Sequence, residues 1–141
     1  MSTSNIYTAG LNHVGSYQVS GKPYLSGSAL LTVSADSLRF QFPTVTKSIT
    51  VKSNHGDPIR VHFAPYTAGR FDYTAGAVAN SNFVIVPGNG SQTFDVKCKE
   101  IFISNTGTSA GTTNAVQVFA ELTTIPAARM YNLDGVVGVA T

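Results

Sequence analysis

The sequence has no tryptophan, a single cysteine, and charge on only 11% of its 141 residues. One cysteine excludes an intrachain disulfide, so the fold must be held by its core, and a lone thiol suits a protein that matures in a reducing compartment. The charged fraction is less than half of the roughly 25% usual in globular domains. The hydrophobic fraction is nevertheless 43%, which excludes a chain kept disordered by charge. Nine basic and seven acidic residues, spread thinly, give a net charge of +2. No field able to recruit nucleic acid follows from that, so nucleic acid is not an expected partner. Nowhere do 18 consecutive apolar residues occur, and Met1–Gly10 has no basic stretch followed by an apolar run. The expectation is a protein of the cytosol, or of an assembly built there, without a membrane partner.

In place of charge the chain carries 14 Ser, 16 Thr, 13 Gly and 9 Asn, against five Lys, four Arg and two Glu. Such a mixture favours strands and turns over helices. Period-2 alternation sets Leu38, Phe40 and Phe42 against Arg39 and Gln41, and places Ile49 and Val51 inward within Lys47–Lys52. Ile59, Val61 and Phe63 then alternate with Arg60 and His62. Between these two strands Ser53–Pro58 is rich in turn formers, and a hairpin is expected. The run Asn82–Pro87 does not alternate, which suits a strand covered on both faces, and Gly88-Asn89-Gly90 reads as a hairpin-type turn. Phe94, Val96 and Cys98 alternate with Asp95, Lys97 and Lys99. Ile101–Ser104 forms another apolar stretch, and Ala115–Leu122 points Val116, Val118, Ala120 and Leu122 one way and Gln117, Phe119 and Glu121 the other. Ser28–Val33 is a weaker strand candidate, and Ala75–Val78 has room for one helical turn.

About eight short strands at this spacing predict an all-β fold: an antiparallel β-sandwich, jelly-roll or Greek-key like, in a single domain spanning 1–141. Phe40, Phe42, Ile49, Val51, Val61, Phe63, Phe94, Val96, Val118 and Leu122 are expected to share one core. The ends differ from the middle. Residues 1–27 and 123–141 read as irregular terminal arms, too apolar for free tails and without a clean period. They either close the edges of the domain's own sandwich or pack between subunits. Tyr7, Tyr17, Tyr24, Arg129, Met130, Tyr131 and Val137 are the candidate partner contacts, because tyrosines, apolar side chains and an arginine suit a protein interface.

Signals for chemistry are weak. His13, His55 and His62 do not stand at metal-ligand spacing to one another or to Cys98, and no metal or cofactor is expected. His55-Gly56-Asp57 invites a catalytic reading, but no Gly-x-Ser-x-Gly elbow accompanies it and a solvated turn is the better reading. His62 falls on the polar face of its strand, as an exposed or interface residue. Gly88-Asn89-Gly90 lacks the helix that a phosphate loop requires. The seven acids read as surface solubilisers. Cys98 shares the face of Phe94 and Val96, away from Lys97 and Lys99, and is expected to be buried and inert.

Five segments carry a resemblance: Met1–Pro23, Phe42–Val51, Arg60–Phe63, Val96–Ile101 and Ala120–Pro126. Together they resemble small virion structural proteins of tailed phages, cyanophages in particular, over nearly the whole chain. The resemblance implies a non-enzymatic protein of the virion, assembled in the host cytoplasm. Among virion roles a capsid decoration or cement protein fits best, bound to the phage major capsid protein and forming a homo-oligomer, with a trimer favoured by the three equal edges of a local threefold position. A tail or fibre component and a glycan-binding β module on the virion are the alternatives. The absence of tryptophan and of an aromatic pair weighs against the glycan module.

Overall fold

Alternating burial organises the chain into short strands joined by turns. The computed structural model describes residues 10–11, 21–29, 38–64, 83–106, 111 and 114–133. Its strands are β1 (Pro23–Ser28), β2 (Leu38–Gln41), β3 (Thr44–Ser53), β4 (Ile59–His62), β5 (Val84–Val86), β6 (Ser91–Phe94), β7 (Glu100–Asn105) and β8 (Val116–Pro126), followed by a 3-10 turn at Ala127–Arg129. Two four-stranded antiparallel sheets result, the first ordered β1-β8-β3-β6 and the second β2-β7-β4-β5.

The pairing is nested. Pro23 faces Glu121, Leu38 faces Ile103, Ile49 faces Phe94, and Ile59 faces Val86, so partners close in from both ends of the chain toward its middle. The β3–β8 and β4–β7 ladders then join these pairs into sheets. An antiparallel ribbon rolled up in this way, with strands passing between two sheets, is the wiring of the eight-stranded jelly roll. The all-β sandwich expected from alternation is therefore the fold observed.

Seven of the ten expected core residues are buried: Phe40, Phe42, Ile49, Val51, Val61, Val118 and Leu122. Phe63, Phe94 and Val96 are half-buried against the same cluster. Ile59, Val86, Ile101, Ile103, Val116 and Ile125 complete it from both sheets. Each such side chain contributes about 1.5–3 kcal/mol by leaving water.

Several expectations need correction. β3 and β4 do not form a hairpin: β3 pairs with β8 and β6, β4 with β7 and β5, and Ser53–Pro58 carries the chain from one sheet to the other. The Gly88-Asn89-Gly90 turn is real, with Asn89 at φ 56° and the Gly90 N–H donating to Pro87 O at 3.0 Å, but it too crosses between sheets. It stacks on the Ser53–Pro58 turn so closely that a Cβ at Gly88 would lie 2.0 Å from Gly56 O. β5 is an edge strand with Val84 and Ile85 both 44% exposed, not a strand covered on both faces. The regions read as arms also contribute regular structure. Pro23–Ser28 is an edge strand paired with β8, and β8 itself runs on to Pro126. Ala75–Val78 and most of Ser28–Val33 lie outside the described residues.

The extension of β8 was hidden by a break in alternation. Leu122 and Thr123 are both buried where the β3–β8 register shifts between Thr44 and Ser48. At this bulge side chains replace ladder bonds. Thr123 Oγ1 donates to Val45 O at 2.6 Å and accepts the Ile125 N–H at 3.2 Å. Across the sandwich, Thr46 Oγ1 donates to Val96 O and accepts the Cys98 N–H, at 2.9 and 3.1 Å, as residues 95–99 cross from β6 to β7.

Candidate functional site

β4 is buried on both faces, so Arg60 and His62 are not surface residues. They share the outer face of the second sheet with Ser104 and Phe102, their partners in the β4–β7 register, and all four are 0–3% exposed. This corrects the expectation of His62 as an exposed or interface residue, which assumed that the polar face of a strand is open. His62 Nδ1–H donates to Ala64 O at 2.8 Å, which leaves Nε2 to accept from Ser104 Oγ–H at 3.2 Å. Burial pushes the imidazole pKa down from 6.5 to about 4, with the Arg60 charge acting in the same sense and the Ala64 bond opposing. The ring stacks on Phe102 at 5.9 Å. A serine bonded to a neutral histidine has the form of a nucleophile and its base, but here both are sealed from solvent and act as a tie between β4 and β7. Arg60 completes the tie, its guanidinium donating to Asn105 O at 2.9 Å and lying 5.7 Å from the Phe83 ring centre.

Cys98 is buried beside Thr46, with Oγ1 and Sγ 3.5 Å apart, and burial pushes its pKa up to about 11. Lys97 is exposed, and Lys99 Nζ donates to Met130 O at 3.1 Å. Among the described residues no cation pulls the thiol down, and the Glu100 charge acts with burial to raise it. In the His55 turn, Nε2 stands 3.5 Å from Asp57 Oδ2, while Ser53 Oγ meets the His55 main chain instead of its ring. The three groups do not form a relay. Among the described residues no three His, Cys, Asp or Glu side chains gather to hold a metal, and no helix is long and apolar enough to cross a membrane.

The expected contact residues divide. Tyr131 is 63% exposed, and Arg129 is exposed in the 3-10 turn. Tyr24 is half-buried, its ring packed edge-on against Phe42 at 5.0 Å. Met130 is corrected: at 5% exposure it belongs to the domain's own core, at the end of a 3-10 turn closed by its N–H donating to Ala127 O. Tyr7, Tyr17 and Val137 lie outside the described residues.

The outer face of the first sheet is open. Leu25, Phe119, Thr50 and Thr93 form one row across its four strands, and Gly27, Gln117, Lys52 and Ser91 form the next. Leu25 is 76% and Phe119 39% exposed, and the two face each other between β1 and β8. With Asn114 they line a groove of about 490 Å³. Alternation in Ala115–Leu122 already pointed Gln117 and Phe119 outward. Leu25 and Gly27 were missed, since the only signal was the short alternation of Tyr24, Leu25 and Ser26 among Gly and Ser. Comparison of the chain with protein-family models, curated proteins and solved structures finds no match in any of the three.

Proposed function

We propose that this chain is a non-enzymatic structural protein of a tailed-phage virion, a capsid decoration or cement protein that stabilises the shell by contacts with the major capsid protein and with copies of itself. The resemblance of its sequence to small virion proteins supports this reading. The observation that carries it is where the terminal segments are rooted. The Leu122 N–H donates to Lys22 O at 2.9 Å, Gly21 abuts the Leu122 carbonyl, and Leu133 packs against the core. Gly21 and Lys22 are thus anchored on β8 at the end of the first sheet where β1 begins, while Leu11 and Leu133 rest against the core. Tyr131, two residues before Leu133, is exposed. In the proposed role the segments 1–20 and 134–141 bridge neighbouring subunits while the sandwich stays folded, in a trimer at a local threefold position.

The test is to delete residues 1–20 and 134–141 separately and to measure melting temperature, oligomer size and incorporation into particles. Retained folding with lost incorporation is expected for at least one deletion. Full incorporation and unchanged oligomer size in both would overturn the proposal. Cryo-imaging of virions with this chain traced in the map separates the shell from the tail or fibre alternative: density on the shell lattice supports the proposal, and density confined to the tail refutes it.

A further inference from the structure

We propose that the groove on the outer face of the first sheet is a binding site for an acidic saccharide, a pyranose chain bearing a carboxylate. Its volume of about 490 Å³ lies within the roughly 300–1,000 Å³ of small-ligand clefts. One wall is apolar: the partly exposed ring of Phe119 beside Leu25, a surface on which the C–H face of a sugar ring can lie. One row away, about 7 Å along the strands, the groups are polar and held in place. Gln117 Oε1 accepts from Asn54 Nδ2 at 3.0 Å, which leaves the Gln117 amide nitrogen as the donor it can offer. Asn54 Nδ2 also donates to Asn114 O at 3.0 Å, fixing Asn114 in a left-handed conformation, φ 59°, that asparagine tolerates.

The position of Asn114 depends on Gly27. A Cβ at residue 27 would stand 2.6 Å from Asn114 Oδ1, so the missing side chain is what admits this amide oxygen to the floor of the groove. The Gln117 amide donor, the Asn114 amide oxygen and the Thr50 hydroxyl thus border an apolar strip, an arrangement that suits a ligand whose ring is apolar on its face and hydroxylated at its edge. Lys52 decides the charge of that ligand. It supplies the charge among the described lining residues, and no carboxylate lines the groove with it, so the complement is an anion on the sugar. One cation is too few for a nucleic-acid backbone.

This site does not depend on the virion proposal, and its test uses the full chain free in solution, so its failure would leave that proposal standing. Trigalacturonate and trimannuronate, with their methyl esters as uncharged controls, are titrated to about 10 mM while backbone amide shifts are followed by NMR. The expected result is saturable movement of Leu25, Gly27, Gln117 and Phe119 with at least one oligouronate, and binding at least fivefold weaker for its ester. Phe119→Ala should weaken binding at least tenfold and Lys52→Met at least fivefold, with melting curves confirming that both variants fold. Absence of saturable shifts with both oligouronates overturns the proposal, as does equal binding of acid and ester or undiminished binding by Phe119→Ala. If the same amides move on raising protein concentration without sugar, the face is an interface between copies and the proposal is likewise overturned.

Discussion

Acidification should destabilise this protein through His62. In the unfolded chain the imidazole takes up a proton near 6.5, whereas in the fold it does so only near 4, because burial disfavours the charged ring. Above pH 6.5 both states are neutral at this site and stability does not depend on it. Between 6.5 and 4 the unfolded state binds the proton and the folded state does not, so stability falls as pH falls, and below 4 the loss levels off. The full span is worth about 3 kcal/mol, of which about 2.5 kcal/mol lies between pH 7 and pH 4.5. For a domain of this size that lowers the melting temperature by about 8 °C. The assay is urea unfolding of wild type and His62→Asn at both pH values. The asparagine amide can still donate to Ala64 O but does not titrate. Loss of the Ser104 bond should make the variant about 1–3 kcal/mol less stable at pH 7. Its further loss on going to pH 4.5 should be smaller than that of wild type by about 2.5 kcal/mol. Comparing the two falls cancels every other titrating group. An equal fall in both proteins would refute the assignment of a buried, neutral His62.

Three further outcomes are expected. Ile103→Ala, at a fully buried position between the sheets, should cost about 2–5 kcal/mol in chemical denaturation, and a cost below 1 kcal/mol would contradict the core described. Gly88→Ala should destabilise by about 1–3 kcal/mol because its methyl group would press on Gly56 O, whereas Gly56→Ala, with open space around its Cβ, should stay within about 0.5 kcal/mol; equal effects would mean that the two turns do not stack. Cys98 should react with a bulky disulfide reagent at pH 8 far more slowly in the native protein than in denaturant, and comparable rates would show that the thiol is neither buried nor raised to about 11.

Alternation in the sequence by itself determined the fold class and the inward faces of β2, β3 and β8, because a side chain in a strand can only point to one of two sides and water selects the polar one. The same reasoning placed Cys98 inside and Phe119 and Gln117 outside. Four matters were decided only by the tertiary structure. Which strands pair is not written in period 2: Ile49 and Val51 face inward whether β3 pairs with β4 or with β8 and β6, and only the nested rolling of the ribbon selects the latter. The burial of Arg60 and His62 was invisible because alternation assumes that one face of each strand is wet, and here both faces of β4 are covered. The last turn of β8 was hidden by a bulge that puts Leu122 and Thr123 inward in succession, so that Met130 returns to the core from a stretch without visible period. The groove needs Leu25, Gly27, Asn54, Asn114 and Phe119, which lie up to 94 positions apart in the sequence and become neighbours only because β1, β8 and β3 lie side by side in one sheet. Local pattern fixes which way a side chain faces, and long-range pairing fixes what it meets there.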